Sequence, residues 1–130
     1  MLKKSVTYVD FNGEEKTDIL YFNLNEPEIF RLEVQFEGGL RNYVENITEE
    51  SKFEDIMNLF EKIIMASYGE KSSDGRHFDK SPEMAARFSN SAAYAKLFMD
   101  LVESNESASD FFNALITFGG KGVTLPAKSD

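Results

Sequence analysis

The sequence predicts an α+β fold: an N-terminal β-hairpin followed by a bundle of five or six short to medium helices, mostly α. Three observations carry this expectation. Two β-rich runs flank Asn12-Gly13, a pair that tolerates positive φ. From Asn25 onward, apolar residues recur mainly at helical spacing, with capping residues ahead of several runs. The chain has 130 residues, 42% of them hydrophobic, which is enough for one core without metal or disulfide.

Residues 3–11 place Val6, Tyr8 and Phe11 among β-formers, and 15–22 carry Thr17, Ile19, Leu20, Tyr21 and Phe22. A two-residue type I′ turn at Asn12-Gly13 joins them, and one face of so small a hairpin must pack on helices. Asn25-Glu26-Pro27-Glu28 reads as a helix start, with a cap, a proline in the first turn and a glutamate three residues after the cap. The next segment fits two patterns. Phe30, Leu32, Val34 and Phe36 alternate as in a strand, whereas Ile29, Leu32 and Phe36 share a helical face. The cap decides for a helix, stopped by Gly38-Gly39.

A short helix is expected over 40–46, with Leu40, Tyr43, Val44 and Ile47 on one side. Residues 49–68 give the clearest helix. Phe53, Ile56, Met57, Phe60, Ile63, Ile64 and Ser67 keep one face over four turns, Thr48 is the cap and Gly69 the C-terminal stop. A polar loop follows over 69–80. Ser81-Pro82-Glu83 opens a short helix. Ser89 or Ser91 opens the next, with Tyr94, Leu97, Phe98, Leu101 and Val102 on one face and a break at Asn105. The last helix runs from about 107 to 118, with Ala108, Phe111, Phe112, Leu115 and Ile116 apolar, and ends at Gly119-Gly120. One domain over 1–120 and a flexible tail over 121–130 are expected.

Composition narrows the function. Fourteen basic residues against 23 acidic ones give a net charge of −9, which repels phosphate and argues against nucleic acid as a partner. The chain has no cysteine, so disulfides, thiolate zinc sites and a cysteine nucleophile are excluded. No apolar run is long enough for a transmembrane helix, and no membrane partner is expected. Lys3 and Lys4 are not followed by the apolar stretch of a signal peptide, because Thr7, Asp10 and Asn12 interrupt it. The expected location is the cytoplasm in which the protein is made.

The segment 68–81 holds the single histidine and the densest mix of charges. Asp74, His77 and Asp79 are of the right types for a metal or an acid–base pair, but no ligand spacing supports them, and Asp74-Gly75 is a common tight-turn pair. Gly119-Gly120-Lys121-Gly122 lacks the spacing of a phosphate-binding loop, and no G-x-S-x-G occurs. No catalytic residue, metal or cofactor is therefore expected. Acidic residues gather at Glu45, Glu49, Glu50, Glu54, Asp55 and Glu61, against Lys52 and Lys62, and again at Asp100, Glu103, Glu106 and Asp110. Such groups are solvated helix faces or a surface that attracts a basic partner. Several short aromatic helices also exceed what one small core readily buries, so some apolar surface is left for an interface.

Particular residues carry a further signal. They are Thr7-Tyr8-Val9-Asp10-Phe11-Asn12-Gly13, Tyr21-Phe22-Asn23-Leu24 and Glu37-Gly38-Gly39-Leu40, then most densely Ser67-Tyr68-Gly69-Glu70-Lys71-Ser72, Asp74-Gly75-Arg76, Phe78 and Lys80-Ser81, and finally Phe88, Ala93-Tyr94, Leu97-Phe98 and Phe111-Phe112-Asn113. Through these the chain resembles the tail assembly chaperones of siphophages and related prophages of Gram-positive bacteria. It departs from them at His77, where an arginine or similar residue is expected.

The resemblance implies a non-enzymatic protein that binds and solubilises the tape measure protein and helps recruit tail tube subunits during tail morphogenesis. It implies action in the host cytoplasm and absence from the mature virion. It also implies self-association into a homo-oligomer and, in many members, a longer form made by ribosomal frameshifting, for which the codons of Gly119-Gly120-Lys121 are the place to look. The residues picked out for partner binding are Tyr68, Arg76, Phe78, Tyr94, Phe98, Phe111 and Phe112. The alternative is a structural virion component of the tail or head–tail junction. A small hydrolase or metal-dependent enzyme built on His77, Asp74 and Asp79 is the third reading.

Overall fold

A computed structural model describes residues 1–36, 38–39, 43, 53–115, 117–118 and 121–122. The chain begins with the expected hairpin. β1 (Leu2–Val9) pairs antiparallel with β2 (Glu15–Phe22), in a register running from Leu2 opposite Phe22 to Val9 opposite Glu15. The turn differs from the type I′ expectation. That turn needs positive φ at both central residues, and Gly13 alone has it, at +83°. The connection is longer: Gly13 N–H donates to Asp10 O at 3.0 Å, and Asp10 N–H donates to Glu14 O at 2.8 Å. The Asp10 carboxylate accepts from the N–H groups of Asn12 and Glu14, each at 2.9 Å, so an aspartate organises the turn more than the asparagine does.

Asn25 caps α1 (Glu26–Gln35) with a full capping box: its side chain accepts from Glu28 N–H at 3.0 Å, and Glu28 accepts from Asn25 N–H at 2.9 Å. Ile29 and Leu32 point into the core. The helix is followed by Gly38 and Gly39, both at positive φ. The expected helix over 40–46 lies outside the described residues, as do Thr48, Glu45, Glu49 and Glu50; the Tyr43 ring packs on Phe36 at 4.5 Å.

The long helix appears as α2 (Phe53–Ser67), burying Leu59, Phe60, Ile63, Ile64 and Ser67. The Ser67 hydroxyl is fully enclosed and donates to Ile63 O at 2.8 Å, so its burial leaves no orphaned group.

Two expectations fail just beyond it. Gly69 is not a left-handed helix stop, and 69–80 is not a plain loop. Gly69 lies within β3 (Tyr68–Lys71), which pairs with β2 through Tyr21 opposite Gly69, and β3 turns back into β4 (Phe78–Asp79). The sheet order is β1-β2-β3-β4, antiparallel throughout. Gly69 is required by proximity: a Cβ there would sit 2.6 Å from Asp79 O, 2.6 Å from Phe78 Cε2 and 2.7 Å from Lys80 Cγ.

Ser81 caps α3 (Pro82–Ser89), with proline in its first turn, and Ser91 caps α4 (Ala92–Glu103), which lies against β1. The break after α4 falls at Ser104, not Asn105. Ser104 Oγ accepts from Ser107 N–H at 3.1 Å, so the residue that ends one helix also caps the next, α5 (Asn105–Leu115). α5 stops short of the expected 118. Thr117 and Phe118 (β5) instead pair with Gly122 and Lys121 (β6) in a short antiparallel ladder. A β-branched residue and an aromatic favour this extended state. Lys121 and Gly122 are thus paired; the rest of the expected tail, 123–130, lies outside the described residues, as do Ile116 and Gly119-Gly120.

The core is one cluster drawn from β1, β2 and the five described helices, with Phe22, Ile64 and Leu97 wholly enclosed. Phe22 is its aromatic centre, meeting Phe111 edge-on at 5.3 Å, Tyr68 at 5.9 Å and Phe88 at 6.2 Å.

Replacing Gly69 by alanine should destabilise the protein by about 2–3 kcal/mol, because two of the three clashing atoms belong to backbone or a packed ring. Gly75→Ala should cost only about 1–2 kcal/mol, since its φ of +77° is strained for alanine but nothing lies within 4 Å. Urea denaturation of both variants checks the order.

Candidate functional site

The segment from Tyr68 to Ser81 forms a hairpin anchored at its base by Lys80. The Lys80 side chain is 19% exposed. Its ammonium donates to Asn23 O at 2.9 Å, to Ala66 O at 2.9 Å and to Glu28 Oε1 at 2.8 Å, and lies 2.8 Å from Glu28 Oε2. Each acceptor suits a cation. Ala66 O belongs to the last turn of α2, where carbonyls lack helical donors and the helix dipole is negative. Glu28 is the acidic member of the capping box at the start of α1. One side chain thus joins the end of β2, the start of α1 and the end of α2, and Asn23 N–H donates to Ser67 O at 2.8 Å beside it.

At the other end of the hairpin, Asp74 is a turn residue. Its carboxylate accepts from Ser72 Oγ at 2.8 Å and Arg76 N–H at 3.0 Å, and Ser72 Oγ in turn accepts from His77 N–H at 3.0 Å. The Arg76 N–H bond, then the Ser72 bond, lowers the Asp74 pKa below its ordinary 3.8. The stabilisation this gives is present above 3.8 and lost as pH falls through the lower folded value. The other carboxylate considered for chemistry, Asp79, is paired in β4 opposite Glu70. Among the described residues, no group of three or more His, Asp or Glu is placed to hold a metal ion.

The residues picked out from sequence for partner binding separate into three environments. Arg76 is exposed at the hairpin tip, and Phe78 is half-buried in β4. Tyr68, Tyr94 and Phe98 are half-buried members of a chain of rings. Tyr68 stacks flat on Phe88 at 3.9 Å, Phe88 meets Tyr94 at 5.4 Å, and Tyr94 meets Phe98 at 5.7 Å. Burial raises the phenol pKa of both tyrosines, Glu70 adding to it at Tyr68 and Glu61 at Tyr94. Phe111 and Phe112 are core residues, 3% and 7% exposed, with Phe112 packed on Phe60 at 5.2 Å. They present no face to a partner in this conformation.

The apolar side chains that do reach solvent were not among those picked out. Phe11 is 85% exposed at the first hairpin's tip, and Val9 beside it 63%. Phe30 and Val34, one turn apart on α1, are 69% and 81% exposed. The signal was present in the sequence: once Ile29 and Leu32 are assigned to the buried stripe of α1, Phe30 and Val34 fall on the opposite side. The acidic groups are solvated, with Glu54, Asp55, Glu61, Glu103, Glu106 and Asp110 all exposed. Asp100 pairs with Lys96 at 3.3 Å, and Lys62 sits over the Phe36 ring at 5.7 Å.

What this geometry offers is surface for protein contact: an α+β scaffold, an acidic exterior and isolated apolar ridges. Comparison with known families agrees. A family described as phage tail assembly chaperone matches residues 1–117, and the chain belongs to that family. No curated protein and no solved structure matched the chain. Membership implies partners among phage tail proteins. Among the described residues no helix is long and apolar enough to cross a membrane.

Replacing Lys80 by methionine keeps the stem but removes this donor from two carbonyls and leaves Glu28 with the Asn25 N–H alone. The variant should lose about 2–3 kcal/mol of stability. Glu28→Gln, which retains an acceptor for both Asn25 N–H and Lys80, should lose about half as much or less. Thermal melts of the two variants side by side test this.

Proposed function

We propose that this chain is a non-enzymatic chaperone that binds the tape measure protein of its phage, keeps it soluble and helps bring tail tube subunits to it. The observation that carries the reading is the pair Phe30 and Val34. They are large apolar side chains left in water one helical turn apart, on a protein of a tail-assembly family. A client made of long amphipathic helices offers the complementary surface, an apolar stripe repeating every three or four residues. The net charge of −9 keeps the loaded complex soluble and favours client segments whose polar side is basic. In this reading Arg76 and the half-buried rings of Tyr68, Phe78, Tyr94 and Phe98 border secondary contacts. The protein works in the host cytoplasm and leaves before the virion is complete.

Co-expression with the tape measure protein tests the proposal. The wild-type chain should bring the client into the soluble fraction and co-purify with it. A Phe30→Asp, Val34→Asp double variant, which alters side chains already in solvent, should fold normally and lower recovery of the client about tenfold or more. A client that stays insoluble beside folded wild-type protein would overturn the reading. So would finding the chain by mass spectrometry in purified virions, the outcome expected of a structural tail or head–tail component.

A further inference from the structure

A cavity of about 200 Å³ opens between the inner face of the sheet and the turn that joins α3 to α4. Asp18 and Leu20 of β2, Tyr68 and Glu70 of β3, and Arg87 and Phe88 of α3 line it. Asp18 is the unexpected member. Strand alternation puts it on the side of Leu20 and Phe22, both buried, and directly opposite buried Val6. That side ordinarily takes apolar residues, yet here it carries a half-buried carboxylate. The Tyr8 hydroxyl donates to Asp18 Oδ2, and among the described residues Oδ1 has no donor.

The charges around the opening do not satisfy one another. Among the described residues no ion pair includes Asp18, Glu70 or Arg87, and Glu70 and Arg87 are exposed. All three nevertheless act on one group. Burial, then Glu70, raises the Tyr68 phenol pKa; Arg87 opposes the rise and Asp18 adds to it. Two carboxylates and one guanidinium thus converge on a single opening, beside the apolar side chains of Leu20, Met84 and Phe88.

Size and charge choose the guest. A dry cavity of about 150 Å³ takes one benzene molecule, and pockets for drug-sized ligands start at about 300 Å³. This one admits the end of a single long side chain. A carboxylate guest would meet two like charges and one unlike, whereas a guanidinium or ammonium meets two unlike and one like. We infer that the cavity receives a basic side chain, arginine above all, from a protein partner. Its charge sits between Asp18 and Glu70, and its methylene stem lies along Leu20, Met84 and Phe88. The chain belongs to an assembly family, which makes a protein the source of that side chain, and the net charge of −9 draws basic partners. None of the lining residues comes from α1, so the site is separate from Phe30 and Val34.

Amide NMR titration of the full chain with a capped Gly-Arg-Gly peptide at low salt tests this, with capped Gly-Glu-Gly as control. The arginine peptide should shift the amides of Leu20, Tyr68 and Arg87 saturably, and the glutamate peptide should not. Asp18→Asn removes the charge but keeps an acceptor for the Tyr8 hydroxyl, and Glu70→Gln alters an exposed side chain. Each should raise the dissociation constant about threefold, and the two together about tenfold. Arg87→Gln should lower it about twofold, a gain that a merely structural role would not produce. Away from the cavity, the spectra of the unliganded variants should match the wild type. Absence of saturable shifts with the arginine peptide would overturn the inference. So would tighter binding of the glutamate peptide, or an arginine affinity that the folded double variant leaves unchanged. The probe is not the tape measure protein, so this result and that of co-expression are independent of each other.

Discussion

The Lys80 ammonium ties together three parts of the chain that are distant in sequence. It reaches Asn23, 57 residues away in sequence, Glu28, 52 away, and Ala66, 14 away. The three acceptors are a strand-end carbonyl, a capping-box carboxylate and a last-turn helix carbonyl. Each would otherwise need water or another donor. A cation shared among them joins the hairpin to the start of α1 and the end of α2, beside the buried stripe of Ile29 and Leu32 that turns α1 to the core. The neighbouring glycine follows from the same constraint. The lysine stem and the β4 backbone occupy the space a Cβ at position 69 would fill.

The second constraint is aromatic. Phe22 at the end of β2 touches rings from β3, α3 and α5, so the sheet and the helices share one packing centre. The chain of rings through Tyr68, Phe88, Tyr94 and Phe98 carries this packing outward until it is half-exposed. Of the ten phenylalanines whose side chains are described, eight are buried or half-buried, and the two left outside stand apart. Phe11 and Phe30 have no structural role that burial explains.

The sequence was most legible where local chemistry decides the outcome. The capping box at Asn25 and Glu28, the Ser81-Pro82 start and the Ser91 cap each satisfy free backbone amides with their own side chains, and each stands where the pattern places it. It was least legible where distant residues decide. Gly69 reads as a helix stop because glycine often is one; its actual reason, the approach of Asp79 and Lys80, is invisible without the fold. The 69–80 segment reads as a loop because its polar residues hide two strands only two to four residues long. Phe111 and Phe112 read as contact residues because a stripe near the end of the chain does not announce what covers it. Val34 fits a strand-like alternation as well as a helix, and only the helical reading puts it on the solvent side of α1.

The surface divides by element. α1 shows an apolar ridge to solvent, and the outer faces of α2 and α5 show carboxylates. A tail assembly chaperone that uses α1 as its client-binding ridge makes a local demand that photo-crosslinking can meet. A photoreactive residue placed at Val34, and in a second variant at Glu106 on α5, would be irradiated in the soluble complex with the tape measure protein. The account predicts a strong covalent adduct with the client from position 34 and little from position 106. A soluble complex that crosslinks from Glu106 but not from Val34 would contradict it.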